Sequence, residues 1–257
     1  MNRLRLRAAA RASGLHLLGS FAVAAVAAWL VFGRLYPTPY AEMLGGFELF
    51  FILMGVDVVC GPLLTLVLFN PAKPRRELVL DLGFVAILQL GALAYGLQTV
   101  WLARPVYLIY DVDRFQVLTM SELDEIGLAK KPAMVPSPSW LGGPVLIGSR
   151  TAKPEDVDYL DQVNQSLAGN EAFMRADRWG EYSNFQHDVL SRAQALDVLY
   201  GKHPSQKLLL DNAVLNLQRQ HSQVSWLPVV SRRGIAWTLL MDSTTAQPLK
   251  FVPLDGF

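Results

Sequence analysis

Three long apolar stretches lie before residue 103, and segments of that kind have few places to go other than a membrane. The first runs from about Leu15 to Phe32, the second from Met43 to Phe69 and the third from about Leu78 to Leu102. Each meets the roughly 18–20 residues that an α-helix needs to cross a hydrocarbon core. The chain is 52% hydrophobic and 18% charged, and its mean hydropathy of +0.26 exceeds that of an ordinary soluble domain. The excess is confined to these stretches. Residues 103–257 have regular charges, prolines and polar turns, and are enough to bury a core of their own. The expected organisation is a basic N-terminus over 1–14, a three-span region over 15–102 (spans near 15–33, 43–69 and 78–102) and one soluble domain over 103–257.

Positive charge sets the expected orientation. Arg3, Arg5, Arg7 and Arg11 precede the first span, and Lys73, Arg75 and Arg76 fill the loop between the second and third. The loop between the first and second carries only Arg34. Placing both basic clusters in the cytoplasm puts the soluble domain on the far side, which for a bacterial inner membrane is the periplasm. Tyr36, Tyr40, Tyr95 and Trp101 fall near the span ends, where amphipathic rings favour the headgroup region. A competing reading makes residues 1–28 a cleaved signal peptide with Ala22-Val23-Ala24 near its end. Trp29-Leu30-Val31-Phe32 continues the apolar run past that point and favours a retained span.

Polar residues inside spans are costly and therefore informative. Glu48 and Asp57 lie in the second span, Asp81 and Gln89 in the third. Asp57, near mid-span, has two readings: a polar contact for another helix, or a side chain tied to the backbone of its own helix, broken between Gly55 and Gly61-Pro62. Glu48 sits toward the outer interface. Asp81, near the cytoplasmic end, is within reach of Arg75 or Arg76, and Gln89 is suited to bridging helices. Gly91, Ala92 and Gly96 add small residues to the third span, the last two at a small-xxx-small spacing that lets helices approach closely. With no charge ladder, three spans make a poor transport path.

The soluble part reads as α+β, with antiparallel strands at both ends and helices between. Val106–Tyr110 and Arg114–Leu118 are β-type runs around an Asp111-Val112-Asp113 turn, and Val145–Gly148 is a third. Ser121 is the expected N-cap of a short helix, and residues 131–144, rich in Pro and Gly, form an extended loop. Helical spacing covers Pro154–Leu167 (closed by Gly169), Asp188–Leu199 and Ser205–Gln220. Val224–Val230, Ile235–Leu240 and Leu249–Val252 close the chain as consecutive strands, with turns at Arg233-Gly234 and Asp242–Thr245.

The chemistry expected is sparse. No GxSxG, HExxH, Walker loop or GxGxxG occurs, so no catalytic residue, metal ligand or cofactor site is expected. A net charge of +1 without a basic aromatic stripe gives no reason to expect nucleic acid. Cys60 is the sole cysteine, which excludes an internal disulfide. The His187-Asp188 pair is read as a solvated helix start, Asp111 and Asp113 as turn residues, and Trp179, Trp226 and Trp237 as core.

An ordered set of motifs nevertheless stands out: Gly55-Val56-Asp57-Val58-Val59-Cys60-Gly61-Pro62-Leu63-Leu64-Thr65-Leu66, then Asp81-Leu82 through Gln89-Leu90 to Ala94-Tyr95-Gly96. It continues in Ala103-Arg104-Pro105-Val106-Tyr107 and Val112-Asp113-Arg114-Phe115, with a weaker echo in Trp226-Leu227-Pro228. In these the chain resembles the type IV pilin accessory proteins of the TfpX/TfpZ family. The resemblance implies a non-enzymatic membrane protein that assists a type IV major pilin, through contacts with its membrane helix and its globular head. It carries no catalytic residues over, and residues 120–220 contain none of its motifs. Two other classes fit the sequence less well. A membrane-anchored periplasmic sensor would have almost no cytoplasmic part through which to signal without a partner, and a membrane-bound hydrolase lacks a nucleophile–base pair.

Overall fold

Apolar segments can satisfy all their backbone hydrogen bonds internally only as helices, and the first part of the chain is built that way. The computed structural model describes residues 3–126, 128, 130–160, 164, 172–232 and 237–257, and divides into two compact units, Met1–Arg104 and Pro105–Phe257.

In the first unit α1 spans Arg3–Leu30 and widens into a π-helical turn at Val31–Leu35. The short α2 (Tyr40–Met43) follows, then α3 (Gly46–Leu68) and α4 (Arg75–Leu102). The three long helices are long and apolar enough to cross a membrane. The basic segment expected to stand apart is the first turns of α1, because its Ala and Arg residues are strong helix formers. The second apolar run starts as a helix at Gly46 rather than Met43. Gly45 interrupts it with a left-handed backbone (φ 69°) that a side chain would resist.

Side-chain bonds fix the helix directions. Arg5 Nη2 donates to Val67 O (3.3 Å) and Ser13 Oγ to Pro62 O (2.8 Å), so the start of α1 lies against the end of α3. Gln89 Nε2 donates to Asp57 O (2.9 Å) while Gly96 packs on Leu53, so α4 is antiparallel to α3. The two basic segments, Arg3–Arg11 and Lys73–Arg76, therefore sit at one end of the unit. At the other end Val31, Leu35, Tyr36, Phe50, Met54 and Val100 form the core, and Phe32 stacks on Phe47 at 4.6 Å. Tyr36 and Tyr40 are buried rather than turned outward as expected; Tyr36 Oη donates to Val100 O (3.0 Å), so its ring closes the bundle. Tyr95 does face outward, as do Trp29, Phe51, Phe84 and Ile87.

The second unit is a mixed sheet. Its strands are β1 (Pro105–Asp111), β2 (Arg114–Thr119), β3 (Val145–Ser149), β4 (Trp179–Glu181), β5 (Gln194–Ala195), β6 (Val224–Val230), β7 (Trp237–Asp242) and β8 (Pro248–Val252). Their order is β4-β3-β1-β2-β6-β7-β8, with β5 beside β6. Expected antiparallel pairings hold for β1–β2, β6–β7 and β7–β8. The expectation of antiparallel strands alone fails at two seams, because β1–β3 and β2–β6 are parallel. The second of these joins both ends of the domain into one sheet. The central strands β1 and β7 are buried at every position, which explains their continuous apolar runs.

The helices are shorter than their apolar spacing implied. Those complete among the described residues are α5 (Met120–Ile126), α6 (Gln186–Arg192), α7 (Leu196–Lys202) and α8 (Lys207–Leu215). α5 starts at Met120, before the expected Ser121 cap, and the Glu122 carboxylate in its first turn reaches back to accept the Thr119 amide (2.8 Å) and hydroxyl (2.6 Å). The run Asp188–Leu199 is split because Gln194 and Ala195 leave the helix to pair with β6. Residues 154–158 form turns and 159–160 are helical; beyond Leu160 the expected helix to Leu167 and Gly169 lies outside the described residues, apart from Asn164. The Arg233-Gly234 turn and the start of the strand at Ile235-Ala236 also lie outside them. Trp179, Trp226 and Trp237 are core residues.

Arg178, whose side chain is 2% exposed, anchors the loop after β3 by pairing with Asp158 (2.7 Å) and Asp156 (3.1 Å). Hydrogen bonds from Arg150 and from the Lys153 amide hold the Asp156 carboxyl well below the usual carboxylate range, and one from Arg178 lowers that of Asp158. A depressed carboxyl stabilises the fold above its unfolded pKa of about 4, and that contribution fades as pH falls below it. Thermal unfolding of the full chain followed from pH 6 to pH 3 is expected to show the midpoint dropping below about pH 4. Arg178→Gln is expected to lower the midpoint by several degrees at pH 6 and to flatten that acid limb. An unchanged midpoint and pH profile in the variant would contradict this role.

Candidate functional site

The polar residues of the three-helix unit are not scattered; several meet at one level. Pro62 sits inside α3 without interrupting it, so the broken-helix reading of Asp57 is corrected: the helix is continuous from Gly46 to Leu68. Pro62 has no N–H to offer the Val58 carbonyl one turn back, which leaves this part of α3 short of a backbone hydrogen bond. Gly61 beside it has no side chain, and a Cβ there would overlap the Gln89 carboxamide. Through that gap Gln89 crosses from α4 and donates to the Asp57 carbonyl. The expected bridging role of Gln89 is thus realised, and Gly61 is what makes room for it.

A cavity of about 330 Å³ opens beside this contact, among α1, α3 and α4. Its walls include Val23, Ala24, Met54, Val58 and Leu93, and its polar lining comes from His16, Ser20, Asp57 and Gln89. Gln89 is committed to the Asp57 backbone, and the His16 ring shares a hydrogen bond of 2.6 Å with Thr65 Oγ1. The Asp57 carboxylate differs: among the described residues it has no hydrogen-bond or ion-pair partner. It stands halfway along α3, where an isolated charge is most costly. A partner that brings a cation or a hydrogen-bond donor into the cavity would relieve that cost.

The other residues singled out from sequence fall elsewhere. Asp81 pairs with Lys73 (2.5 Å), not with Arg75 or Arg76. Those arginines are five and six positions away on α4, where residues turn to other faces, whereas Lys73 folds back from the loop. Glu48 is exposed in the first turn of α3. Gly91 and Ala92 lie on the exposed side of α4, and only Gly96 packs inward, so the Ala92/Gly96 spacing does not form one seam within this unit. Arg104 is buried, with its guanidinium 3.9 Å from the Trp101 ring centroid and Nη1 donating to Trp101 O (2.9 Å).

In the second unit Pro105 opens β1, Asp113 pairs with its chain neighbour Arg114 (2.8 Å) at the tip of the first hairpin, and Phe115 is core. The Arg114 guanidinium also lies over the ring of Phe257, 4.7 Å from its centroid. His187 and Asp188 are exposed and 3.7 Å apart, as befits a solvated helix start. Ser13, His16 and Thr65 went unread as a set, although their signal was present: polar side chains with hydrogen-bonding heads inside apolar runs.

A family model described as Fimbrial assembly protein FimB matches residues 4–45. The fimbrial assembly protein of serogroup I from Dichelobacter nodosus is 34% identical across the whole chain and 99% of its own length, and that of serogroup E1 is 33% identical over the same shares. The fimbrial assembly protein of serogroups C1 and C2 is 43% identical over 49% of this chain and 98% of its own. No solved structure matches.

The Gly61–Gln89 contact predicts coupled mutational effects. Gly61→Val is expected to push the carboxamide out and destabilise the full-length protein in detergent by about 1–3 kcal/mol. Gln89→Ala alone is expected to cost about 0.6 kcal/mol, typical of a hydrogen bond between membrane helices. In the double variant the combined loss should be smaller than the sum, since no carboxamide remains to be displaced. Strict additivity in thermal or steric-trap unfolding would mean that the two residues do not share this contact.

Proposed function

This chain belongs to the fimbrial assembly protein family, and from that premise we propose that it is a non-catalytic inner-membrane helper of type IV pilus assembly that receives the membrane helix of the major pilin in the cavity beside Asp57. The observation that carries this reading is Asp57, halfway along a membrane-length helix, whose carboxylate has no partner among the described residues and which lines a cavity that is otherwise mostly apolar. A pilin subunit awaiting assembly is held in the membrane by one apolar N-terminal helix that begins with an ammonium group. That helix offers both apolar surface and positive charge. Asp57 supplies the countercharge. Asp81 has the depth expected for an ammonium group near the cytoplasmic face, but it is already engaged by Lys73.

The arrangement of charge supports the proposed topology. Both basic segments lie at one end of the three-helix unit, which the positive-inside rule assigns to the cytoplasm. The outward faces of the helices carry large apolar side chains such as Phe21, Phe51 and Ile87, suited to lipid. The second unit then stands in the periplasm, on the side where pilin heads are displayed. The role is chaperone-like: docking and release, without bond chemistry.

The test is isolation of tagged protein from membranes of crosslinked cells, probed for the major pilin. Asp57→Asn is expected to lower co-isolated pilin at least about tenfold, as for loss of one partner of a desolvated charge pair, with the protein's own level unchanged. Asp81→Asn should leave co-isolation near that of the unmodified protein. Full pilin recovery with Asp57→Asn would overturn the assignment of this cavity.

A further inference from the structure

We propose that the second unit carries an anion site, a cleft at the ends of β1 and β3 that takes a single carboxylate group. The assignment is independent of the Asp57 cavity. Strands β1 and β3 are parallel neighbours, in register from Tyr107 and Val145 to Asp111 and Ser149, so both end on the same side of the sheet. Beyond those ends the chain departs in opposite directions. After Asp111 it turns toward β2, where Arg114 pairs with Asp111. After Ser149 it stays beside β4, because the Arg150 amide donates to the carbonyl of Arg178 (3.0 Å), the residue before that strand. With β2 and β4 on opposite sides of the β1–β3 pair, a gap opens between the two departing segments. Such a gap, outside the carboxyl ends of parallel strands, is where open sheets bind ligands. Here it forms a cavity of about 270 Å³.

The walls suit a small anion. The segment after β3 supplies Arg150 and Lys153, and α6 supplies Asp188, Ser191 and Arg192, which share one helix face at i, i+3 and i+4. Phe185 seats that helix on the sheet, where its ring lies in space that a Cβ on Gly148 would occupy. Asp156 fixes the other wall, accepting from Arg150 Nη1 (2.8 Å) and from the Lys153 amide (2.9 Å). Arg150 is committed to that pair. The Lys153 ammonium and the Arg192 guanidinium have no hydrogen-bond or ion-pair partner among the described residues. The lining thus holds two uncommitted cations against one carboxylate, Asp188. Burial pushes the Tyr110 hydroxyl up to about 12; Asp188 adds to the rise and Arg192 opposes it, so both charges act at this wall. An excess of one positive charge matches a carboxylate better than a phosphate near charge −2, which Asp188 would repel. Val112, also in the lining, holds a left-handed backbone (φ 59°) that is rare for a β-branched residue, and Tyr110 Oη donates to its carbonyl (2.7 Å). It opens the Val112-Asp113-Arg114-Phe115 run that stood out in the sequence. A free dicarboxylate and a glutamyl side chain on a peptide present the same group.

The experiment uses the full chain in deuterated detergent at low ionic strength, with binding read by saturation-transfer NMR. The probes are the capped peptide Ac-Gly-Glu-Gly-NH2, its Gln counterpart and glutarate, with inorganic phosphate added as a competitor. Saturable binding of the Glu peptide or of glutarate is expected, with the Gln peptide at least about tenfold weaker, as for loss of a charge-assisted hydrogen bond. Lys153→Gln combined with Arg192→Gln is expected to weaken binding at least about tenfold on the same ground. Asp188→Asn is expected to tighten it about two- to fivefold, the scale of one exposed charge, and a misfolded variant would not imitate that gain. Lys250→Gln, on β8 at the opposite edge of the sheet from β4, should change nothing. Tighter binding of the Glu peptide than of glutarate would make a peptide the source of the carboxylate, and the reverse a free acid; both support the site. No saturable binding of either in the millimolar range would overturn it, as would binding that survives the double variant. Phosphate that displaces the Glu peptide more effectively than glutarate does would overturn the carboxylate assignment.

Discussion

The three-helix unit depends on a side chain that is missing. Because Gly61 has no Cβ, the Gln89 carboxamide reaches the Asp57 carbonyl, and α4 settles against α3 at this level. Between membrane helices, where burying apolar surface gives no advantage over lipid, close packing and such hydrogen bonds carry the association. Ser13 and His16 do the same work between α1 and α3, on Pro62 and Thr65. These contacts engage Ser13, His16, Thr65 and Gln89, whereas the Asp57 carboxylate has no such partner among the described residues. That contrast directs attention to the cavity, where a carboxylate without a partner among the described residues lines a mostly apolar opening.

The second unit is held by different physics. Its sheet draws strands from both ends of the domain and joins them at the parallel β2–β6 seam, where only Phe115 and Gln116 pair with Val229 and Val230. The last residues are folded back onto this seam: Lys202 Nζ donates to Gly256 O (2.8 Å) and Gly256 packs on Pro228 and Trp226. Arg114, singled out from sequence as part of a recurring motif, lies over the ring of Phe257 and so takes part in the same closure. The motif thus has a structural reason in addition to any surface role.

Much of this was legible before the structure. Hydropathy located the three long helices, and the β-type runs at Val106, Arg114, Val145, Val224 and Leu249 each correspond to a strand. What escaped reading depended on distance in sequence. The parallel seams follow from crossovers that no local pattern encodes, and β4 and β5 are too short to show a period. Asp188–Leu199 has helical spacing throughout, yet Gln194 and Ala195 gain more by pairing with β6 than by continuing a helix. At the cavity, Asp57, Gln89 and Gly61 were each legible as unusual residues. That they converge was not, because helix rotation, which decides whether Ala92 or Gly96 faces inward, is set by packing rather than by spacing.

The central claim is that the Asp57 cavity, and not merely the lipid-facing surface, receives the pilin helix. A photoreactive residue at Leu90, which lines the cavity, tests this against the same residue at Leu88, which is exposed outside it on α4. In cells assembling pili, the account predicts crosslinking to the major pilin from position 90 and little or none from position 88. Equal crosslinking from both positions, or none from position 90 in cells that still assemble pili, would contradict it.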